Sequence, residues 1–485
     1  MNMRFSRIPI VIALASVLSA CMVGPDYHRP KVAVPIKYKE LEGWTQATPA
    51  AAAPKGDWWT AFHDPLLDRL EPMVVVSNQT VRQNYANYEQ ALAEVRVARS
   101  ALFPTIGVTT DATRQKNPSG KSTALLASGR GITNSGSLDG TVSWAPDFWG
   151  KVRRTIEENA AIAQSSEATL ANATLSEQVA LAVALIDLRV VDANVALLQQ
   201  TVENYKQYLK VVADQQQAGT TPPTDLITAK TQLESAQSNL IALGVSRAQF
   251  AHAIAVLVGK NPEDLDIAQS TALPALPSVP VDVPSTLLQR RPDIAVAERE
   301  MAAQNAAIGV AVAAYYPSIT LSGEAGFTQS PLDGLLQISN YVWSLGANAT
   351  ETIFEGGYRH ATVDAAKAAY DAAVANYRQT VLTAFEDVEN ELAGLRILAD
   401  QAAVLDTATK DATRGAQIAL DEYQAGTVDY TTVATAQTTA LSFQETALSV
   451  EETRLVDAAT LIGDLGGGWS ADELCDPRHG KCKAK

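Results

Sequence analysis

One cysteine in this chain stands where its thiol has a defined chemistry. Arg4 and Arg7, an apolar run from Ile8 to Leu18 and small residues up to Ala20 have the layout of a secretory signal over residues 1–20. Leu18-Ser19-Ala20 directly before Cys21 forms a lipobox, in which the sulfur receives a diacylglyceryl group and the new amino terminus an acyl chain. Two or more chains hold a protein stably on a bilayer where one binds only marginally. Met22 follows rather than Asp, so nothing suggests retention at an inner membrane. Cys475 and Cys482 are the other cysteines, and in an exported protein they could close a small disulfide loop. Zinc is the weaker reading, since only His479 joins them and no fourth ligand is evident.

Little else is arranged for chemistry. His28, His63, His252, His360 and His479 show no metal-ligand spacing, and no Ser or Cys sits in a nucleophile motif. Neither an enzyme activity nor a cofactor beyond the lipid on Cys21 is expected. No phosphate-binding loop appears, so any energy must be supplied by a partner. A net charge of −15 argues against nucleic acid, and five methionines give copper handling no support.

The elements that position these residues are long. Residues 151–218 contain no Gly or Pro and 358–425 no Pro, and the two runs lead into the same tetrapeptide, Gln217-Ala218-Gly219-Thr220 and Gln424-Ala425-Gly426-Thr427. The chain is therefore a helical hairpin built twice, with long helices of about 100 Å. The first copy, 64–262, reads as a helix over 77–103, strands at about 105–113 and 137–145, a long helix 150–218 and a return helix 224–258. The second, 291–469, reads as a helix from Pro292, strands at about 318–328 and 341–350, a long helix 357–425 and a return helix 429–463. An extended Pro- and Ala-rich arm (21–63), a Pro-rich connection (263–290) and a tail (470–485) complete a mainly α chain with a small β part. Leu181, Leu188, Val195 and Val202 recur every seven residues with Ala184, Val191, Leu198 and Tyr205 between them, a coiled-coil seam. Val381, Val388, Leu395 and Ala402 repeat it with smaller residues.

No later stretch supplies some eighteen continuous apolar residues, so any membrane crossing is left to the strands. Ile106 and Val108 alternate with Thr105 and Thr109, and Ile319 and Leu321 with Thr320 and Ser322, giving each strand one apolar and one polar face. Four strands cannot close a barrel, and an open edge in lipid is costly, so several chains must share one. Three chains give about twelve strands, enough for a bore, with Trp144, Trp343 and Tyr341 available as interface aromatics. A soluble sandwich is hard to build from four strands tied to such helices.

Several motifs, in order, then match a family. Cys21-Met22-Val23-Gly24-Pro25-Asp26-Tyr27, Arg290-Arg291-Pro292-Asp293-Ile294, Tyr316-Pro317-Ser318-Ile319, Phe354-Glu355-Gly356-Gly357 and Leu465-Gly466-Gly467-Gly468-Trp469 resemble outer-membrane factors of tripartite efflux systems, in the NodT/OprM lipoprotein branch of the TolC-like family. The resemblance covers essentially all of the mature chain. It implies a homotrimer with a shared twelve-stranded barrel in the outer membrane and a helical tunnel through the periplasm. It also implies docking to a periplasmic membrane-fusion adaptor linked to an inner-membrane pump of the resistance-nodulation-division type.

Within that frame the hairpin tips become candidate sites. Gly219 and Gly426 end the long helices, and with Thr220 and Thr427 they would form a ring of tips that an adaptor could grip. The family places a carboxylate constriction near Asp429 and Tyr430, with Asp421 and Glu422 close by. Asp429 can equally be a helix cap with Tyr430 packed on the next turn. Pro222 and Pro223 occupy the matching positions of the first hairpin, which favours a stiff first tip and a movable second. Glu386, Asp387, Glu389 and Glu391 read as a solvated face or a tunnel lining without specific role. The expected function is a passive exit duct for small amphipathic compounds, antibiotics among them. Polypeptide secretion or metal-ion export on the same fold is the alternative, and a lipid-anchored coiled-coil scaffold would have no use for amphipathic strands.

Overall fold

The computed structural model describes residues 22–40, 57–116, 132–279, 284–479 and 482. The signal segment, Cys21 and the middle of the first inter-strand loop lie outside these residues. Helices α1 (Pro65–Ser77) and α2 (Gln79–Ser100) lead to strands β1 (Thr105–Lys116) and β2 (Ile132–Trp144), then α3 (Lys151–Gln217) and α4 (Pro223–Leu257). The second copy runs α5 (Pro292–Ala313), β3 (Ser318–Gln329), β4 (Tyr341–Thr350), α6 (Tyr358–Gln424) and α7 (Tyr430–Asp464).

The helix expected over 77–103 is α2, and a further helix that was not expected, α1, precedes it. Asn78 leaves the helical region, with ψ 132°, and its side chain caps α2 by accepting from the N–H groups of Thr80 and Val81. Helix α1 escapes a periodicity reading because Pro65 opens it and Pro72 lies inside it, although Asp64 caps it as sequence rules would ask.

The two long helices have 67 residues each, too long for any single neighbour to cover. Helix α3 is flanked by α2 and then α4 on one side and by α5 and then α7 on the other, and α6 packs on α5 and α7. The result is an arc two tiers high: α2-α3-α5-α6 beside the strands and α4-α3-α7-α6 beyond. Four antiparallel strands in the order β1-β2-β3-β4 follow the same sequence around the arc. Neither β1 nor β4 has a partner on its outer edge among the described residues.

The heptad residues are the core of the first hairpin. On α3, Val202 and Tyr205 are buried with Leu233 and Ala236 of α4, Val212 with Ala229, and Leu181 and Leu188 in a cluster that includes Ile254. The second seam is thinner. Val381, Val388 and Leu395 are buried, but from residue 396 to 418 no α6 side chain is fully buried. Smaller residues at the seam leave less apolar area to hold this hairpin together.

One expectation needs correction. Helix α4 is long and apolar enough to cross a membrane, with mean hydropathy 1.6 over eighteen residues. It packs along α3 instead, and Arg247 within its apolar stretch pairs with Asp192 of α3 at 2.7 Å. Much of its apolar surface, Ile227, Ile241, Val245 and Val256, is exposed on the single chain.

Candidate functional site

The two hairpin tips are built alike, atom for atom. Gly219 and Gly426 take φ of 72° and 73°, the left-handed conformation that a side chain disfavours. In each copy the Thr that follows donates twice to one helix carbonyl. Thr220 N–H and Oγ1 reach Gln215 O, both at 2.9 Å, and Thr427 N–H and Oγ1 reach Glu422 O at 3.0 and 2.9 Å. The Thr hydroxyls are therefore spent on closing the helix. What each tip offers outward is a bare glycine, with no heavy atom within 4 Å of where a Cβ would stand.

Beyond the glycines the tips diverge. Asp429 caps α7, its Oδ1 accepting from Thr432 N–H at 3.1 Å and Thr432 Oγ1 at 3.0 Å. Tyr430 is buried between the hairpins, its ring 5.5 Å from that of Tyr423 and its hydroxyl donating to Gln232 Oε1 of α4 at 3.2 Å. Burial pushes its hydroxyl well above the ordinary tyrosine range. Tyr430 thus has a core position, packed on its neighbours, and Asp429 has the capping role. Asp421 is exposed and accepts from Gln417 Nε2 at 2.9 Å. In the first tip Pro222 precedes Pro223, which opens α4, and Thr221 Oγ1 donates to the buried Asp225.

At the other end, register assigns every strand residue to a face. Val142 lies opposite Ile106 and Gly323, and Gly323 opposite Leu345. Directly opposed residues share a face, so Ile106, Leu138, Trp144, Leu321, Trp343 and Leu345 all lie on one apolar side. This side is bare: Ile106 is 79% and Leu345 80% exposed. The opposite side carries Thr109, Asp111, Asp139, Thr141, Glu324 and Ser344.

Just below the strands the N-terminal arm is fastened across both copies. Arg154 of α3, buried, donates to Val23 O, Gly24 O and Asp26. Asn305 of α5 donates to Pro25 O at 3.0 Å, and Arg29 donates to Tyr377 of α6 at 3.1 Å. Met22 lies against Gly150, at the junction of β2 and α3.

Two members of the acidic run on α6, Asp387 and Glu389, are anchors, which corrects their reading as a solvated face, while Glu386 is exposed. Glu389 accepts from the N–H groups of Lys39 and Glu40 at 2.6 and 3.0 Å, holding the arm. Asp387 pairs with Arg291, which also binds Asp293 and Asp464. Glu391 is half-buried near Asp457 and Asp464, and burial followed by their charge raises it to about 7. The tail is likewise fastened. Cys475 and Cys482 are bridged, Gln164 Nε2 donates to Cys475 O at 3.0 Å, and Arg99 donates to Pro477 O.

The buried acids were missed by sequence reasoning. Glu71 of α1 is fully buried with both oxygens unpartnered among the described residues, and burial raises it to about 9. Asp187 of α3 lies close to Glu452 of α7, and burial followed by the charge of Asp187 raises Glu452 to about 7. A Glu at an apolar position of a helix was the only available signal for the first, and none existed for the second.

The model of the outer membrane efflux protein family matches residues 72–260 and 283–467, one segment for each copy. The toluene efflux pump outer membrane protein TtgF of Pseudomonas putida is 30% identical over 469 residues, which cover 94% of this chain and 96% of the relative. Nodulation protein T of Rhizobium leguminosarum bv. trifolii is 30% identical over 403 residues, 81% of this chain and 83% of the relative. Among solved structures, the outer-membrane channel OprN superposes with a TM-score of 0.85 at 28% identity, covering 93% of this chain and all of that one. The duplicated hairpins, the arc and the four-stranded sheet are those of TolC-like channels, trimeric α-barrels continued by a β-barrel. The chain belongs to the outer membrane efflux protein family, as an outer-membrane factor of the NodT/OprM branch and the outer-membrane channel component of an efflux pump.

Proposed function

We propose that three copies of this chain close into a passive, lipid-anchored exit duct that crosses the periplasm and the outer membrane. The observation that carries this reading is the pair of unpartnered flanks. One flank of the arc presents α4, with Ile227, Ile241, Val245 and Val256 exposed, above which lie α2 and the free edge of β1. The other presents α6, with Leu382, Ile397, Val404 and Ile418 exposed, and the free edge of β4. Two different flanks joined head to tail give a ring. Twelve or so strands then form a closed barrel whose bare apolar side meets lipid and whose hydroxyls and carboxylates line water.

Acyl chains on Cys21 fit this placement, because Met22 lies where the strands meet the helices. The glycine tips at Gly219 and Gly426 are the surface for a periplasmic membrane-fusion adaptor, which links the duct to an inner-membrane pump of the resistance-nodulation-division type. Exposed acids at the second tip, Asp421 and Glu422, repeat around the axis with Asp429 and form a cation-attracting gate. The cargo is small amphipathic compounds and antibiotics, with aromatic solvents suggested by the toluene pump to which the related channel belongs.

Mass measurement of the purified acylated protein in detergent, followed by planar-bilayer recording, tests the ring. A trimer with stable conductance is expected. A monomer that leaves the bilayer sealed overturns the duct.

A further inference from the structure

The four strands sort their charges by face and by height. Asp111, Asp139 and Glu324, the carboxylates of the described strands, all lie on the hydroxyl-bearing side. Their two bases lie on the other. Arg114 stands opposite Asn134 and Lys116 opposite Ile132, in step with Ile106 and Val108 on the bare apolar side. Both are exposed, and neither has an ion-pair partner among the described residues. A base on a lipid-facing side is costly near the middle of a bilayer and cheap at its margin. Strands rise about 3.3 Å per residue and tilt by about 40° in a barrel, so Arg114 and Lys116 stand roughly 23 and 28 Å above Thr105, at the far margin of an apolar band about 25 Å tall.

The same end of the sheet carries apolar side chains on the same side. Ser330 Oγ donates to Asn134 O at 3.3 Å, and Leu332 lies where a Cβ on Gly136 would point, so the connection from β3 to β4 rests against this face. It leaves Leu336 66% and Ile338 85% exposed. Phe327 and Tyr341, opposed across β3 and β4 with rings 5.7 Å apart, lie below it. The one acid in that connection, Asp333, is exposed and makes no ion pair among the described residues. Two cations set above aromatic and aliphatic side chains match a molecule with anionic head and acyl chains.

We propose that this rim binds the phosphate groups of a lipid in the outer leaflet, with Arg114 and Lys116 of each copy as the cations and the β3–β4 connection as the bed for an acyl chain. A guanidinium fork suits phosphate oxygens, and an ammonium adds a second positive charge beside it. The proposal rests on the reading of the strands as part of a barrel across the outer membrane with the helices on the periplasmic side. It adds a lipid of stated charge to a face that the duct itself needs only to be apolar.

Native mass spectrometry of the full-length acylated protein in detergent, titrated with diphosphoryl lipid A, monophosphoryl lipid A and inorganic phosphate, reads the assembly and its bound lipid in one spectrum. Diphosphoryl lipid A should bind most tightly, the monophosphoryl form several-fold more weakly, and inorganic phosphate should not displace either. Arg114→Gln and Lys116→Gln should each weaken lipid binding about fivefold and together about 25-fold, the effect of one and of two cations at an anionic membrane surface. Binding unchanged in the double variant overturns the proposal, and displacement by inorganic phosphate overturns it in favour of a soluble anion. So does equal affinity for the two lipids, a readout on the unaltered protein that stands even where the double variant fails to assemble. A particle of one chain overturns the duct reading instead, and the protein mass alone reports it.

Discussion

Glu71 offers a prediction whose size can be worked through. Its side chain is fully buried against the first long helix, and burial raises its carboxyl from 4.5 to about 9. The folded protein therefore holds it protonated at neutral pH, while the unfolded chain ionises it. The stabilisation is complete below pH 4.5 and is lost progressively as pH rises to about 9. At pH 7 the unfolded state gains from ionisation over roughly 2.5 pH units, at 1.36 kcal/mol each about 3 kcal/mol. Glu71→Gln has the same shape and cannot ionise, so it removes that bias. The variant should be more stable than the parent by about 3 kcal/mol at pH 7 and nearly equal to it at pH 4.5. Melting of the purified protein in detergent between pH 4.5 and 9 checks this, and the gap between the two curves must widen with pH. Parallel curves would refute the argument, because they would mean that Glu71 is ionised and solvated in the fold.

Other substitutions probe the tips and the seam. Gly219→Ala and Gly426→Ala meet no neighbour, so each should cost only the left-handed backbone, about 1–2 kcal/mol, read as faster amide exchange at the tip. Asp429→Ala removes a cap worth about 1 kcal/mol and should also raise single-channel conductance; unchanged conductance and cation preference would count against a carboxylate gate. Arg291→Met strands Asp464, which burial raises to about 6 despite the arginine. The loss should be about 3 kcal/mol at pH 8 and smaller at pH 5, where that carboxyl is protonated, seen as a pH-dependent drop in Tm.

The long helices, their turns and the strands were legible because each rests on local rules. Runs free of proline, heptads ending in Gln-Ala-Gly-Thr and strict two-residue alternation all act within a few residues of one another. Helix α1 was not legible, since Pro65 and Pro72 read as loop when nothing shows that Asp64 caps the turn between them. The acidic run failed for a different reason. Glu389 and Asp387 face partners some 350 and 96 residues away, the arm at Lys39 and the seam at Arg291, and a local charge pattern cannot distinguish such faces from solvent. Tyr430 is the same case, its burial being set by Tyr423 and by Gln232 of the first hairpin.

The fastened arm has a mechanical consequence. Residues 23–29 are stitched to α3, α5 and α6 in turn, so any splaying of the upper tier must first tear several hydrogen bonds and the buried Arg154 contacts. The arm therefore ties the upper helices of one chain to each other beneath the strands. Below Leu395 no side chain of α6 is fully buried within one chain until Ala419, and in the proposed ring that stretch packs on the neighbouring copy. Any change of bore there has to break contacts between copies as well as within one.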